Sequence, residues 1–139
     1  MVGRCVMTPA ELHAAVTAAV QARLETARAA TPGPWRVSVE GSEGSRISPD
    51  YGDLRERSRF IALIGGRVQP EDGYNARHIV ANDPDVVIRA CEADLQRLAD
   101  HDPGSDAVAF HWSACPCSAG KVCPELRRFA RVYGVEVGT

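Results

Sequence analysis

Leu12, Val16, Val20 and Leu24 recur at every fourth position near the start of the chain, with Ala15, Ala19 and Ala27 beside them. Such spacing lays one apolar stripe along a helix. Thr8 is placed to cap it, Pro9 suits the first helical position and Glu11 completes a capping box, so a helix is predicted from here to about residue 30. TPGPW, residues 31–35, ends it, because two prolines and a glycine cannot continue the hydrogen-bond ladder. The period then falls to two. Trp35, Val37 and Val39 alternate with Arg36, Ser38 and Glu40, as in a half-buried strand. GSEGS reads as a turn, SRIS as a short return strand, and RFIALIGG (59–66) as an apolar third strand closed by glycines.

Beyond residue 66 the helical period returns. A loop and then a short helix around residues 74–82 are expected. Asp83 and Pro84 form a cap and first-turn pair for a longer helix, in which Ile88, Cys91, Leu95 and Leu98 follow the 3-4-3 spacing of a buried seam. His101 falls at its end, and DPGSD stops it. A last helix is predicted after Cys123, with Pro124 in first position and Leu126, Phe129, Ala130 and Tyr133 on one face. The expected class is therefore α+β: a small three-stranded antiparallel meander packed against helices, with a zinc-stapled loop before the C-terminal helix. Residues 1–7 read as a flexible N-terminal tail and residues 8–139 as a single domain, with a cysteine-rich metal loop at 111–123.

Composition narrows the function classes. Charged residues are 24% and hydrophobic residues 45% of 139, the proportions of an ordinary globular domain. A formal net charge of −2 supplies no global attraction to nucleic acid or to an anionic membrane. No stretch approaches the roughly 20 apolar residues of a membrane span, and charges interrupt the N-terminus before a secretory h-region could form. A cytoplasmic place is expected, where thiols stay reduced and clustered cysteines point to metal rather than disulfides. Of the sixteen basic residues Lys121 is the one lysine, an arginine bias that suits a G+C-rich genome, actinobacterial or that of an actinobacterial phage.

The segment HWSACPCSAGKVC holds the candidate chemistry. Cys115, Cys117 and Cys123 are close enough for one loop to surround an ion, and zinc favours thiolate and imidazole ligands in a closed tetrahedron. Cys123 precedes a helix, whose N-terminal dipole favours negative sulfur. The fourth ligand is either His101 or His111. Reduced cysteines without a metal are the competing interpretation. Cys91 belongs to the apolar seam of its helix, Cys5 to the tail, and His13 and His78 to satisfied or surface positions. The pattern lacks the H-x-E and P-C-x-x-C of a zinc deaminase, and no Walker loop, dinucleotide fingerprint or HExxH is present. No catalytic residues are assigned, and a non-enzymatic protein carrying structural Zn2+ is expected. Lys121, Arg127, Arg128 and Arg131 supply the alternative, a zinc knot presenting a basic helix to nucleic acid.

Three stretches together carry a family resemblance: TARAATPGPW, then ARHIVANDPDVVIRACEADLQRLADH, then a cysteine loop ending in CPELRRFA. They resemble a family of small uncharacterised actinobacterial and actinophage proteins, a domain of unknown function, whose members read A-A-x-P-G-P-W, H-I-A-x-x-D-P and C-P-T-L-R in that order. The resemblance implies that His101 matches the family's helix-end histidine, and Cys115, Cys117 and Cys123 its cysteines. The chain departs from the pattern with one residue fewer between the paired cysteines and with Glu125 where threonine is usual. No activity comes with the family. The expected role is a protein-interaction module, directed at a host factor if the chain is of phage origin.

Overall fold

The computed structural model describes residues 7–41, 44–49, 61–64, 70–104 and 121–137. They form, in order, α1 (Pro9–Ala29), β1 (Trp35–Gly41), β2 (Gly44–Pro49), β3 (Ala62–Ile64), α2 (Pro70–Ala81), α3 (Pro84–Asp100) and α4 (Pro124–Val132). The chain divides into two compact units: Met1–Leu24 with Cys91–Thr139, and Glu25–Ala90.

In the first unit the four-residue rhythm of α1 is a burial pattern, since Leu12, Val16, Val20 and Leu24 are all buried. The capping box forms as its residues predict. The Thr8 N–H donates to Glu11 Oε2 at 2.8 Å, and the Glu11 N–H donates to Thr8 Oγ1 at 3.2 Å. The Thr8 N–H most, and then the Thr8 hydroxyl, which donates to Glu11 Oε2 at 2.9 Å, hold the Glu11 carboxyl below its ordinary range. Along α3, Cys91 and Leu98 are buried, with Ile88 and Leu95 half-buried. His13 is satisfied as well: its Nε2 donates to the carbonyl of Leu98 at 2.8 Å, in the last turn of α3, a carbonyl that also accepts the His101 N–H at 3.0 Å. On α4, Leu126, Phe129 and Ala130 are buried. The helix closes through Gly134, at φ +69°, which lets the Val135 N–H reach the Ala130 carbonyl at 2.8 Å.

In the second unit β1 and β2 form an antiparallel hairpin whose register runs from Trp35 opposite Pro49 to Gly41 opposite Gly44, with an irregularity between Val37 and Val39. Gly44 adopts φ +97°, a conformation open to glycine. Ile47, at the centre of β2, is fully buried, and helix α2 packs on all three strands, with Ala76 also fully buried.

One part of the expected architecture is corrected, and another lies largely outside the described residues. The meander of three comparable strands is not formed. The sheet is in substance the β1–β2 hairpin, to which β3 adds three residues, Ala62, Leu63 and Ile64, paired with Ile47, Arg46 and Ser45. The apolar run 59–66 contains this strand, and its residues 59–60 and 65–66 lie outside the described residues. Of the zinc-stapled loop expected at 111–123, only residues 121–123 are described, and among the described residues no group of three or more His, Cys, Asp or Glu side chains is placed to hold an ion. Helix α2 also starts earlier than expected, at Pro70 rather than near residue 74. Proline is compatible with a first helical turn.

Candidate functional site

Of the predicted metal ligands, the structure places two together. His101 Nδ1 lies 3.7 Å from Cys123 Sγ. The two side chains come from opposite sides of the 105–120 segment: His101 directly follows α3, and Cys123 directly precedes α4. Ligand atoms about 2.1 Å (nitrogen) and 2.3 Å (sulfur) from one tetrahedral zinc are roughly 3.6 Å apart, so the pair has the length of one edge of such a tetrahedron. It is also within reach of a thiol–imidazole hydrogen bond. Cys115, Cys117 and the alternative ligand His111 lie outside the described residues.

The setting of Cys123 suits a ligand sulfur. The residue is almost wholly buried, and it serves as the N-cap of α4, its Sγ accepting the N–H of Leu126 at 3.4 Å. An N-cap normally offers an oxygen from Ser, Thr, Asp or Asn. Here a sulfur takes that place. Pro124 at the first helical position needs no N–H partner, which leaves the sulfur for Leu126. Cys91 and Cys123 are both free thiols. His78 is exposed on α2, and Cys91 is buried in its helix seam.

The basic residues of the alternative interpretation are sorted by the fold. Lys121, Arg127 and Arg131, together with Val122 and Pro124, line an open groove of ≈ 620 Å³ beside the start of α4. Arg128 is exposed on the same helix but does not line the groove.

Two further polar clusters were not foreseen from the sequence. In the first unit the Tyr133 hydroxyl donates to Asp94 Oδ2 at 2.6 Å, and the Arg23 guanidinium sits over the Tyr133 ring, 5.8 Å from its centroid. Burial, then the bond to Asp94, push the Tyr133 hydroxyl well above its ordinary range. In the second unit Asp83 and Asp85 clasp the PGPW turn. Asp83 Oδ1 accepts the Val86 N–H at 2.9 Å, capping α3, while its Oδ2 accepts the Trp35 N–H at 3.2 Å. Asp85 Oδ1 accepts the Gly33 N–H at 3.3 Å. Gly33 is needed for this approach, because a Cβ there would lie 2.9 Å from Asp83 Oδ2 and 3.0 Å from Asp85 Cγ. The Trp35 indole N–H donates to the Thr31 carbonyl at 3.0 Å, closing the turn on itself.

The chain belongs to a family of unknown function, DUF6221, which it matches over residues 10–134. The stretches that carry the family resemblance therefore meet in pairs: PGPW with Asp83 and Asp85, and the helix-end His101 with Cys123. The chain is also similar to the methionine import ATP-binding protein MetN of Bordetella pertussis, Bordetella parapertussis and Bordetella bronchiseptica, 30% identical in each case over 122 residues, covering 77% of this chain. It spans 33% of the length of those relatives. No solved structure matches it with significance. Among the described residues, no helix is long and apolar enough to cross a membrane.

Proposed function

We propose that this chain, from a family without an assigned activity, is a non-catalytic zinc-binding module that acts by binding another protein. The observation that carries the zinc assignment is the 3.7 Å approach of His101 Nδ1 to Cys123 Sγ. Cys115 and Cys117, the two cysteines between His111 and Cys123, complete a Cys3His set in this proposal. The same approach favours His101 over His111 as the nitrogen ligand. Four protein ligands leave a zinc ion no open position for water or substrate, so its contribution is to hold the start of α4 to the end of α3. Reduced thiols suit a cytoplasmic place, and the arginine-rich composition suits an actinobacterial or actinophage source, with a host factor as partner in the phage case. The likeness to MetN brings no nucleotide-binding proposal, because the chain has no Walker loop.

Elemental mass spectrometry on untagged protein, paired with thermal melts before and after chelation, tests this. The expected result is about one zinc per chain, as a closed Cys3His site holds. His101→Ala and Cys123→Ser lose the metal, His111→Ala keeps it, and the chelator lowers the melting temperature. Metal-free protein with all 5 thiols titratable and an unchanged melt would overturn the proposal.

The second interpretation, a nucleic-acid binder using Lys121, Arg127, Arg128 and Arg131, draws on the cations gathered at the groove. It is weakened by the net charge of −2, which gives little counterion-release affinity, and by the position of Arg128 away from that groove.

A further inference from the structure

We infer that the groove beside the start of α4 is the docking site for an acidic, partly apolar segment of a partner protein. Pro124, Arg127 and Arg131 fall at i, i+3 and i+7 and so share one stripe of the helix, on the side away from the buried Leu126, Phe129 and Ala130. Lys121 and Val122 complete the lining from the segment just before the helix. Lys121, Arg127 and Arg131 are exposed, and none of the three makes an ion pair among the described residues. Glu125, the acidic residue of this helix, does not line the groove. Three cations of one sign around a common concavity leave a local positive potential on a chain whose net charge is −2.

The chemistry of the lining selects the occupant. Val122 and Pro124 offer apolar surface between the cations, which a ligand uses only if it brings apolar groups of its own. A phosphodiester backbone brings none, and among the described residues no aromatic side chain lines the groove to stack bases. A peptide with alternating carboxylates and aliphatic side chains satisfies both features. Arginine favours such a ligand further, since its planar guanidinium takes a carboxylate with two parallel hydrogen bonds. The inference deepens the binding-module proposal and rests on it in one respect: the metal at Cys123 would fix Lys121 and Val122, the residues just before it.

The test is fluorescence anisotropy with a short labelled peptide of glutamates interspersed with leucines, against full-length protein of measured metal content. An unlabelled single-stranded DNA serves as competitor. Saturable binding is expected, weakened at least ~tenfold in Arg127→Glu/Arg131→Glu, because like charges now face each other. Arg128→Glu, off the groove, is expected to shift it less than about threefold, the scale of a rim charge. Circular dichroism and metal content of each variant confirm that it folds. No saturable binding, equal binding by the Arg127→Glu/Arg131→Glu variant, or displacement by DNA at concentrations where free peptide fails to displace would each overturn the inference. Zinc-loaded protein without peptide binding sinks this inference alone. Metal-free protein that binds the peptide with the expected charge dependence sinks the zinc proposal alone.

Discussion

The clasp at Asp83 and Asp85 and the pair at His101 and Cys123 both join distant stretches of chain, and they are built in opposite ways. The first spans 52 residues between Gly33 and Asp85 and 48 between Trp35 and Asp83. It is complete with the atoms of this chain. Two carboxylates receive three backbone N–H groups, and the buried Asp83 has both oxygens occupied. Burial of a charge in this way is sustainable because each lone pair that loses water gains a donor. The second pair spans 22 residues and consists of two soft ligand atoms, one of them capped by a single amide. A thiol and an imidazole gain little from each other alone and much from a shared ion. One clasp has the chemistry of structure; the other has the spacing of the metal site proposed above.

The sharpest way to break this contrast is to disable each side and ask which loss a chelator mimics. Cys123→Ser is expected to abolish stabilisation by zinc, about 4 kcal/mol when free zinc exceeds its Kd a thousandfold. Asp83→Ala is expected to cost about 2–3 kcal/mol in urea melts, through the lost cap and the unsatisfied Trp35 N–H, and to leave the chelator response intact. If Asp83→Ala removes that response, the two clasps are one cooperative system.

Gly33→Ala sharpens the same side. Its new methyl group would meet Asp83 Oδ2 at 2.9 Å. A loss of about 1–3 kcal/mol is expected from the displaced carboxylates, and an unchanged melt would show that the turn shifts freely.

Tyr133 offers a smaller effect in the unit that holds the metal pair. Its hydroxyl is raised above the ordinary value near 10 by burial and by Asp94. A folded-state value above the unfolded one means stability that is fully present below the unfolded value and lost as pH rises towards the folded one. Melting temperature should therefore fall on raising the pH above about 10, and Tyr133→Phe, at a cost of about 1 kcal/mol near neutrality, should flatten that fall. An identical alkaline slope in the variant would assign the titration elsewhere. Smallest is Gly73→Ala, within α2, where an added Cβ meets nothing within 4 Å. A gain of about 0.5–1 kcal/mol is expected from helix propensity, and a loss would reveal a contact at that face.

Much of this was legible in the chain. The stripes of α1, α3 and α4, the Thr8–Glu11 box, the Asp83–Pro84 start and the Pro124 start are local patterns, and a helix buries what its own spacing puts on one face. The candidate ligands were legible by residue type, with His101 favoured by the family resemblance and His111 as its alternative, but the approach of His101 to Cys123 needed the end of α3 to meet the start of α4. The start of α2 at Pro70 was hidden because PEDG has the composition of a loop as well as of a first turn. The third strand was read over eight residues, of which three pair with β2 among the described residues, because pairing depends on the partner strand as well as on the apolar run.

The remaining features were decided by tertiary structure. Asp83 as a cap is a statement about its neighbours three residues away; Asp83 as a clasp depends on Trp35, and the Gly33 contact on Asp85. The grouping of Lys121, Arg127 and Arg131 apart from Arg128 likewise depends on how the segment before α4 meets the helix. Periodicity and capping are properties of adjacent residues, so the sequence by itself determined the helices and the residue types available for chemistry. Which carboxylate finds which amide, and which imidazole finds which sulfur, is set only when separate elements pack, because those partners have no fixed spacing along the chain.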